Sequence, residues 1–209
     1  MEYLKTIKVI ILFFSGFVLS AQTNCGKENE NGDAEMEVLA MRLCLSIDNN
    51  FGHDNAGEKI EDVFLAHLKI TRNTPDYKSQ ILDLWNTYSN CFVCKTKSAI
   101  KPELRYPTHF LKRVVDFDMQ AEVFDDFLLN DSEEFPIDVN AIEMVDGKGE
   151  TLLDYLNKIL SYPSEYKRDA GYEFEYFVAP NGIFYKGTVI KELREYLIED
   201  YGAKKASEL

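Results

Sequence analysis

Basic residues are scarce in this chain of 209 residues, which has 23 Lys and Arg against 36 Asp and Glu. The formal net charge of -13 argues against a nucleic-acid ligand, because neutralising phosphate groups requires clustered Lys and Arg. The same charge attracts basic surfaces over long range. We therefore expect the partner to be another protein, and a basic one suits this charge best.

A long hydrophobic run is also missing. The apolar stretch at residues 9–19 is shorter than the roughly twenty residues that a membrane-spanning helix needs. Lys5 and Lys8 precede this stretch and Ala21 follows it, which is typical of a secretory signal peptide at 1–21. We predict cleavage after Ala21, export to the periplasm or the cell exterior, and no membrane span in the mature chain. Lipid attachment at Cys25 is less favoured, because polar residues precede this cysteine.

Recognisable catalytic motifs are absent as well. The sequence contains none of the short motifs of serine hydrolases, zinc proteases, P-loop nucleotidases or dinucleotide-binding proteins. His53, His67 and His109 are scattered, without the spacing of a zinc site. We therefore predict a non-catalytic protein without cofactor or metal. A hydrolase whose site is assembled from residues far apart in the sequence is left open.

Four cysteines are present, Cys25, Cys44, Cys91 and Cys94, all beyond the predicted cleavage site. An exported chain enters an oxidising compartment, where an even number of cysteines favours disulfides, and four cysteines allow three ways of pairing. Cys91 and Cys94 also form a C-x-x-C motif, which in thiol oxidoreductases stands where a helix begins. Here the motif ends a helical pattern. We predict structural disulfides or buried thiols, with thiol-disulfide oxidoreductase as the alternative function.

Helical periodicity begins at residue 34, after a polar, Gly/Asn-rich segment at 22–33 that we expect to be a flexible lead-in. We predict a single helical domain over 34–209. Apolar side chains recur at helical spacing around Leu43, Phe64, Trp85, Val114, Phe127, Leu156 and Leu193. The clearest of these helices begins at Thr151, because Asp154 stands three residues later as in a capping box.

Residues 172–185 interrupt the helical rhythm. Polar and apolar residues alternate from Tyr172 to residue 178, and a turn sequence follows at 179–182, so we predict a small inserted β-hairpin. Its aromatic density is typical of interfaces. We take Tyr172, Phe174, Tyr176 and Tyr185 as candidate contacts with the partner.

A further set of residues follows the order of a known repeat motif: Asp138, Asn140, Asp146, Gly147, Thr151, Leu153, Asp154 and Gly202. This order resembles the ankyrin repeat, in which turns of the D-V-N-A and D-G type precede a helix opened by T-P-L-H-x-A and a second helix ends at G-A. The resemblance covers 138–160 and 190–209, with Leu152 in place of the proline and Asp154 in place of the histidine. It implies a mainly α fold of stacked antiparallel helix pairs that binds other proteins.

Together these features predict an exported, non-catalytic protein-binding module. A concrete form of that function is an immunity or inhibitor protein that blocks a toxin or an enzyme. Its acidic charge and its aromatic segment at 172–185 would make the contacts.

Overall fold

The structure is a computed structural model that describes residues 30–120, 123, 138–169 and 171–209. About 50% of this part of the chain is helical, and 16% lies in three small antiparallel sheets. The predicted mainly α, ankyrin-like stack of helix pairs is therefore wrong, and the fold is mixed α/β. The sheets occupy segments between the helices, where the sequence had suggested one hairpin only.

The helices are α1 (Glu30–Asn50), α2 (Ala56–Leu68), α3 (Tyr77–Tyr88), α4 (Phe110–Asp116), α5 (Leu152–Leu160) and α6 (Gly187–Glu199). The strands are β1 (Val93–Cys94), β2 (Thr108–His109), β3 (Glu143–Val145), β4 (Lys148–Glu150), β5 (Ser164–Asp169), β6 (Tyr172–Val178) and β7 (Phe184–Lys186). Helix α1 begins at Glu30, inside the segment that we expected to be a flexible lead-in. The rest of that segment, the predicted signal peptide and the predicted helix around Phe127 lie outside the described residues.

The centre of the core is the short helix α4, all seven residues of which are buried. The rings of Phe64, Trp85 and Phe92 form one cluster with the ring of Phe110, the first residue of α4, with centroids 5.0 to 6.3 Å apart. The predicted apolar stripes of α1, α2, α3, α5 and α6 also face this core. Helix α4 therefore touches most of the other elements, which matters because three of its buried residues are charged.

Helix α5 begins as the sequence predicts. The Thr151 hydroxyl accepts a hydrogen bond from the amide of Asp154, and the Asp154 carboxylate accepts one from the amide of Thr151. This capping box satisfies two amides that would otherwise lack helical partners. Leu156 is completely buried in the core, whereas Leu153 is buried outside the main core cluster.

The sheets are small, and two of them were not predicted. Strands β1 and β2 pair, and β3 and β4 form a hairpin whose two-residue turn is Asp146 and Gly147. These two residues have φ values of 50° and 78°, the left-handed conformation that a tight hairpin turn of the I′ kind requires. The third sheet has the order β5-β6-β7 and contains the expected hairpin as β6 and β7. Strand β5 was missed, because its charged sequence lacks an apolar face.

Candidate functional site

The cysteines hold the first half of the chain together. Cys44 of α1 is bonded to Cys94 of β1, with the Cα atoms 5.7 Å apart, so the prediction of structural disulfides is confirmed for this pair. Cys91 is also disulfide-bonded, and Cys25 lies outside the described residues. The two sulfurs of the C-x-x-C motif thus belong to different disulfides. Cys91 and Cys94 are both buried, at 6% and 0% exposure.

The β5-β6-β7 sheet has two faces of different chemistry. Its register places one set of side chains on the face turned away from the helices, which we call the outer face: Glu165, Lys167, Tyr172, Phe174, Tyr176, Phe184 and Lys186. Tyr172 is 72% exposed and Phe184 is 44% exposed. Phe174 and Tyr176 are half-buried. Three of the four predicted contacts therefore share one aromatic surface.

Lysine side chains lie across the rings of the outer face. The ammonium group of Lys167 is 3.1 Å from the centroid of the Phe184 ring, and that of Lys186 is 4.4 Å from the centroid of the Phe174 ring. The rings of Tyr176 and Phe184 meet edge to face, with centroids 6.5 Å apart. Cation-π contacts of this kind restrict the rings. The outer face thus presents ordered aromatic rings framed by positive charge, on a chain that is acidic as a whole.

Tyr185, the fourth predicted contact, does not belong to the outer face. It is only 5% exposed, and its hydroxyl donates a 2.7 Å hydrogen bond to the carboxylate of Asp116 in α4. The hydroxyl of Tyr155 in α5 donates to the same oxygen. Burial raises the pKa of Asp116 to about 6, although both hydroxyls favour its ionised form. With Phe177, these contacts bury the part of the opposite, inner face that lies near β7, whereas Tyr166 and Glu173 on the same face are exposed.

A second buried cluster joins α4 to the β3-β4 hairpin. The ammonium group of Lys112, whose side chain is 1% exposed, lies 2.8 Å from a carboxylate oxygen of Glu143 and 2.8 Å from one of Glu150. Arg105 contacts the same two carboxylates at 2.9 and 3.1 Å. Burial disfavours ionisation of Glu150, but the hydrogen bond and the charge of Lys112 outweigh this effect. The pKa of Glu150 is therefore lowered. Two cations and two carboxylates balance each other, which is the condition for burying charge.

Two further polar residues, His109 and Arg113, tie α4 to its surroundings. His109 precedes the helix, and its ring accepts a hydrogen bond from the Leu111 amide and lies 2.8 Å from the Ser89 carbonyl oxygen. Burial lowers the pKa of His109 to about 4, so the ring is neutral near pH 7. Arg113 pairs with Asp48 of α1 at 2.9 Å. None of these residues is marked by a sequence motif, although charged residues inside a short apolar helix are a visible signal.

Several of the residues that resemble an ankyrin repeat come together in three dimensions. The Asn140 side chain accepts a 2.7 Å hydrogen bond from the Lys204 amide, and the Thr151 hydroxyl donates one of 2.8 Å to the Lys204 carbonyl. Gly202, with φ of 61°, lets the chain turn back after α6 toward these contacts. Asp138 accepts a 2.9 Å hydrogen bond from the Trp85 indole through its carbonyl. Asp146 and Gly147 instead form the tip of the β3-β4 hairpin.

Within the described ranges, no group of three or more His, Cys, Asp and Glu side chains is arranged to hold a metal ion. None of the helices in that part of the chain combines the length and the apolar character needed to cross a bilayer. No protein-family model, no curated protein and no solved structure matches this chain.

Proposed function

We propose that this protein is an exported, non-catalytic binding module that captures another protein on the outer face of the β5-β6-β7 sheet. The observation that carries the proposal is the exposure of Tyr172 and Phe184 beside Phe174 and Tyr176 on one face of the sheet. Aromatic side chains are enriched at the centres of protein interfaces, where they bury large area at low entropic cost. The inner face anchors this surface to the core, so the rings need little reorganisation when a partner binds.

Two other features support the proposal. Disulfides at Cys44, Cys91 and Cys94 are typical of proteins that fold in an oxidising compartment, as export after cleavage at Ala21 requires. The net charge of -13 would steer a protein of positive net charge toward the molecule over long range. Because Lys167 and Lys186 lie on the outer face, the part of the partner that docks there should be aromatic or acidic. An immunity or inhibitor protein that blocks a toxin or an enzyme is the concrete form of this function.

The resemblance to an ankyrin repeat stays a proposal for the unit formed by 138–160 and 190–209. It is supported by two hydrogen bonds that join the two segments of that unit: the Lys204 amide donates to the Asn140 side chain, and the Thr151 hydroxyl donates to the Lys204 carbonyl. Proteins of that family bind other proteins, in agreement with the proposed function.

The alternative function, thiol-disulfide exchange at Cys91 and Cys94, has less support. An exchanging pair needs an accessible sulfur with a lowered pKa. Cys94 is completely buried and bonded to Cys44, and Cys91 is 6% exposed. A disulfide-reductase assay on the purified protein would decide this alternative directly.

The proposed function is tested by affinity capture from the secreted and envelope fractions of the source cells. Wild-type bait is compared with the variant Tyr172→Ala/Phe184→Ala, which removes the most exposed rings of the outer face. Met144→Ala is the control, because Met144 is a 67% exposed apolar residue on a strand of another sheet. We expect the control to retain a specific partner and the double variant to lose at least about tenfold in affinity, as loss of interface anchors does. Equal capture by both variants would contradict the proposal.

A further inference from the structure

Strand β5 forms one edge of its sheet, and the hydrogen bonding shows which of its backbone groups face outward. The Val178 amide donates a 2.9 Å hydrogen bond to the Pro163 carbonyl, and the same register continues with Ser164 opposite Phe177. Hydrogen-bonded and non-hydrogen-bonded pairs alternate in an antiparallel ladder. The amides and carbonyls of Ser164, Tyr166 and Arg168 therefore point away from β6.

That outward edge is accessible. Residues 164–168 are exposed, and the Tyr166 side chain is 66% exposed. Among the described residues, the strand pairings and backbone hydrogen bonds give the outward groups of β5 no partner. An open strand edge is a template for another strand, and natural proteins use charged side chains to restrict which strand can add. The pattern of charged side chains on β5 therefore indicates which strand can pair with it.

The charges of β5 fit a second copy of β5 in one register. When two such strands pair antiparallel with Tyr166 opposite Tyr166, Glu165 of each copy lies opposite Lys167 of the other. Shifting the pairing by two residues, the smallest shift that keeps the outward groups opposed, places Lys167 opposite Lys167 or Glu165 opposite Glu165. Opposite charges directly across a ladder stabilise the pairing, and like charges destabilise it. Only the centred register satisfies this condition.

The geometry of the centred register strengthens the match. Tyr166 would occupy a hydrogen-bonded pair, so Glu165 and Lys167 would occupy the adjacent non-hydrogen-bonded pairs, where opposite side chains are closest. Two-fold symmetry repeats the Glu-Lys pair, as in other isologous dimers. The two Tyr166 rings would cover each other on the other face of the ladder.

We propose that this protein forms a homodimer in which β5 pairs antiparallel with β5 of a second copy, centred on Tyr166. The two sheets then become one sheet of six strands in the order β7-β6-β5-β5-β6-β7. Both outer faces lie on the same side of that sheet and form one continuous aromatic surface. This inference goes beyond the proposed function, because it needs no foreign partner.

The test is the molar mass in solution, measured by sedimentation equilibrium from low to high micromolar protein at physiological ionic strength. The wild type is expected to form dimers within this range. The variants Glu165→Lys and Lys167→Glu each place two like-charged pairs in the interface, so each should raise the dimer dissociation constant at least about tenfold. Lys186→Glu is the control, since it changes the net charge as Lys167→Glu does but lies on β7. It should dimerise like the wild type.

Mixing the two single variants distinguishes the proposed register from other interfaces. One variant is positive at both positions and the other is negative at both, so a mixed dimer contains only oppositely charged pairs. The mixture should therefore form heterodimers with near wild-type affinity, although neither variant dimerises well alone. A monomeric wild type at every concentration would overturn the proposal. Single variants that dimerise normally, or a mixture that fails to dimerise, would also overturn it.

Discussion

The two faces of the β5-β6-β7 sheet both carry aromatic residues but differ in what surrounds them. On the outer face, Tyr172 and Phe184 are exposed, and lysine side chains frame the rings. On the inner face, Phe177 and Tyr185 are buried, and the Tyr185 hydroxyl reaches the Asp116 carboxylate of α4. Alternation along the strands separates a surface available to a partner from one that anchors the sheet. An aromatic segment is therefore two surfaces with separate roles, and mutations should separate them.

The largest contrast is expected between alanine substitutions on the two faces. Tyr185→Ala removes a buried ring and a donor to Asp116, and it should lower the free energy of unfolding by about 3 to 5 kcal/mol. Tyr172→Ala removes a ring that is 72% exposed and should change that free energy by less than about 0.5 kcal/mol. Urea denaturation measures both values. Similar losses at the two positions would mean that the outer face is also structural.

The helix beneath the inner face offers the next contrast. Leu156→Ala leaves a cavity in the main core and should cost about 2 to 5 kcal/mol of unfolding free energy. Leu153→Ala should cost less, because Leu153 is buried outside that core cluster. Chemical denaturation again gives the values. Losses below roughly 0.5 kcal/mol at both positions would show that α5 is peripheral and does not support the sheet.

Sequence patterns predicted the local parts of this structure. Periodicity located α2, α3, α5 and α6, and the capping box at Thr151 located the start of α5, because these signals depend on neighbours within a few residues. Strand β5 escaped prediction, because its charged side chains are exposed and only pairing with β6 makes it a strand. The Asp146-Gly147 dipeptide was a hairpin signal, but its flanking strands lack apolar alternation.

The candidate site was predictable only where it depends on signals between neighbouring residues. Alternation brought Tyr172, Phe174 and Tyr176 to one face, as the strand prediction implied. The burial of Tyr185 depends on Asp116, which is 69 residues earlier in the sequence. The partners of Lys112 are likewise 31 and 38 residues away. Nothing local marks such long-range pairs, so the strand pattern alone did not show that Tyr185 lies on the buried part of the inner face.

The interior beneath the inner face should also respond to pH. The pKa of Asp116 is about 6 in the folded protein and 3.8 when unperturbed. Between these two pH values the carboxyl group is therefore protonated to a greater extent in the folded state than in the unfolded state. This group therefore makes the protein less stable as the pH rises from about 4 to about 6, by roughly 2 to 3 kcal/mol. Asp116→Asn should remove this contribution, so the stability of the variant relative to the wild type should increase by that amount as the pH rises from about 4 to about 6. Unfolding free energies measured between pH 4 and pH 7 for wild type and variant test this expectation.

His109 provides a control of opposite sign. Its pKa is about 4 in the folded protein against an unperturbed 6.5. Between these two pH values the ring is therefore protonated to a greater extent in the unfolded state than in the folded state. This group therefore makes the protein less stable as the pH falls from about 6.5 to about 4. His109→Gln should remove that loss at low pH. If both variants showed the wild-type pH profile, neither group would titrate differently on folding.

The smallest effect concerns the hydroxyl of Tyr185 alone. Tyr185→Phe keeps the buried ring but removes one of the two hydroxyl donors to Asp116, which should cost about 1 to 2 kcal/mol. Because that hydrogen bond favours the carboxylate, its loss should also raise the pKa of Asp116 further and move the pH-dependent decline upward. Tyr172→Phe is the matched control on the outer face and should change neither quantity. The measurement is urea denaturation at several pH values. An unchanged pH profile for Tyr185→Phe would mean that the Tyr185 hydroxyl does not stabilise the Asp116 carboxylate.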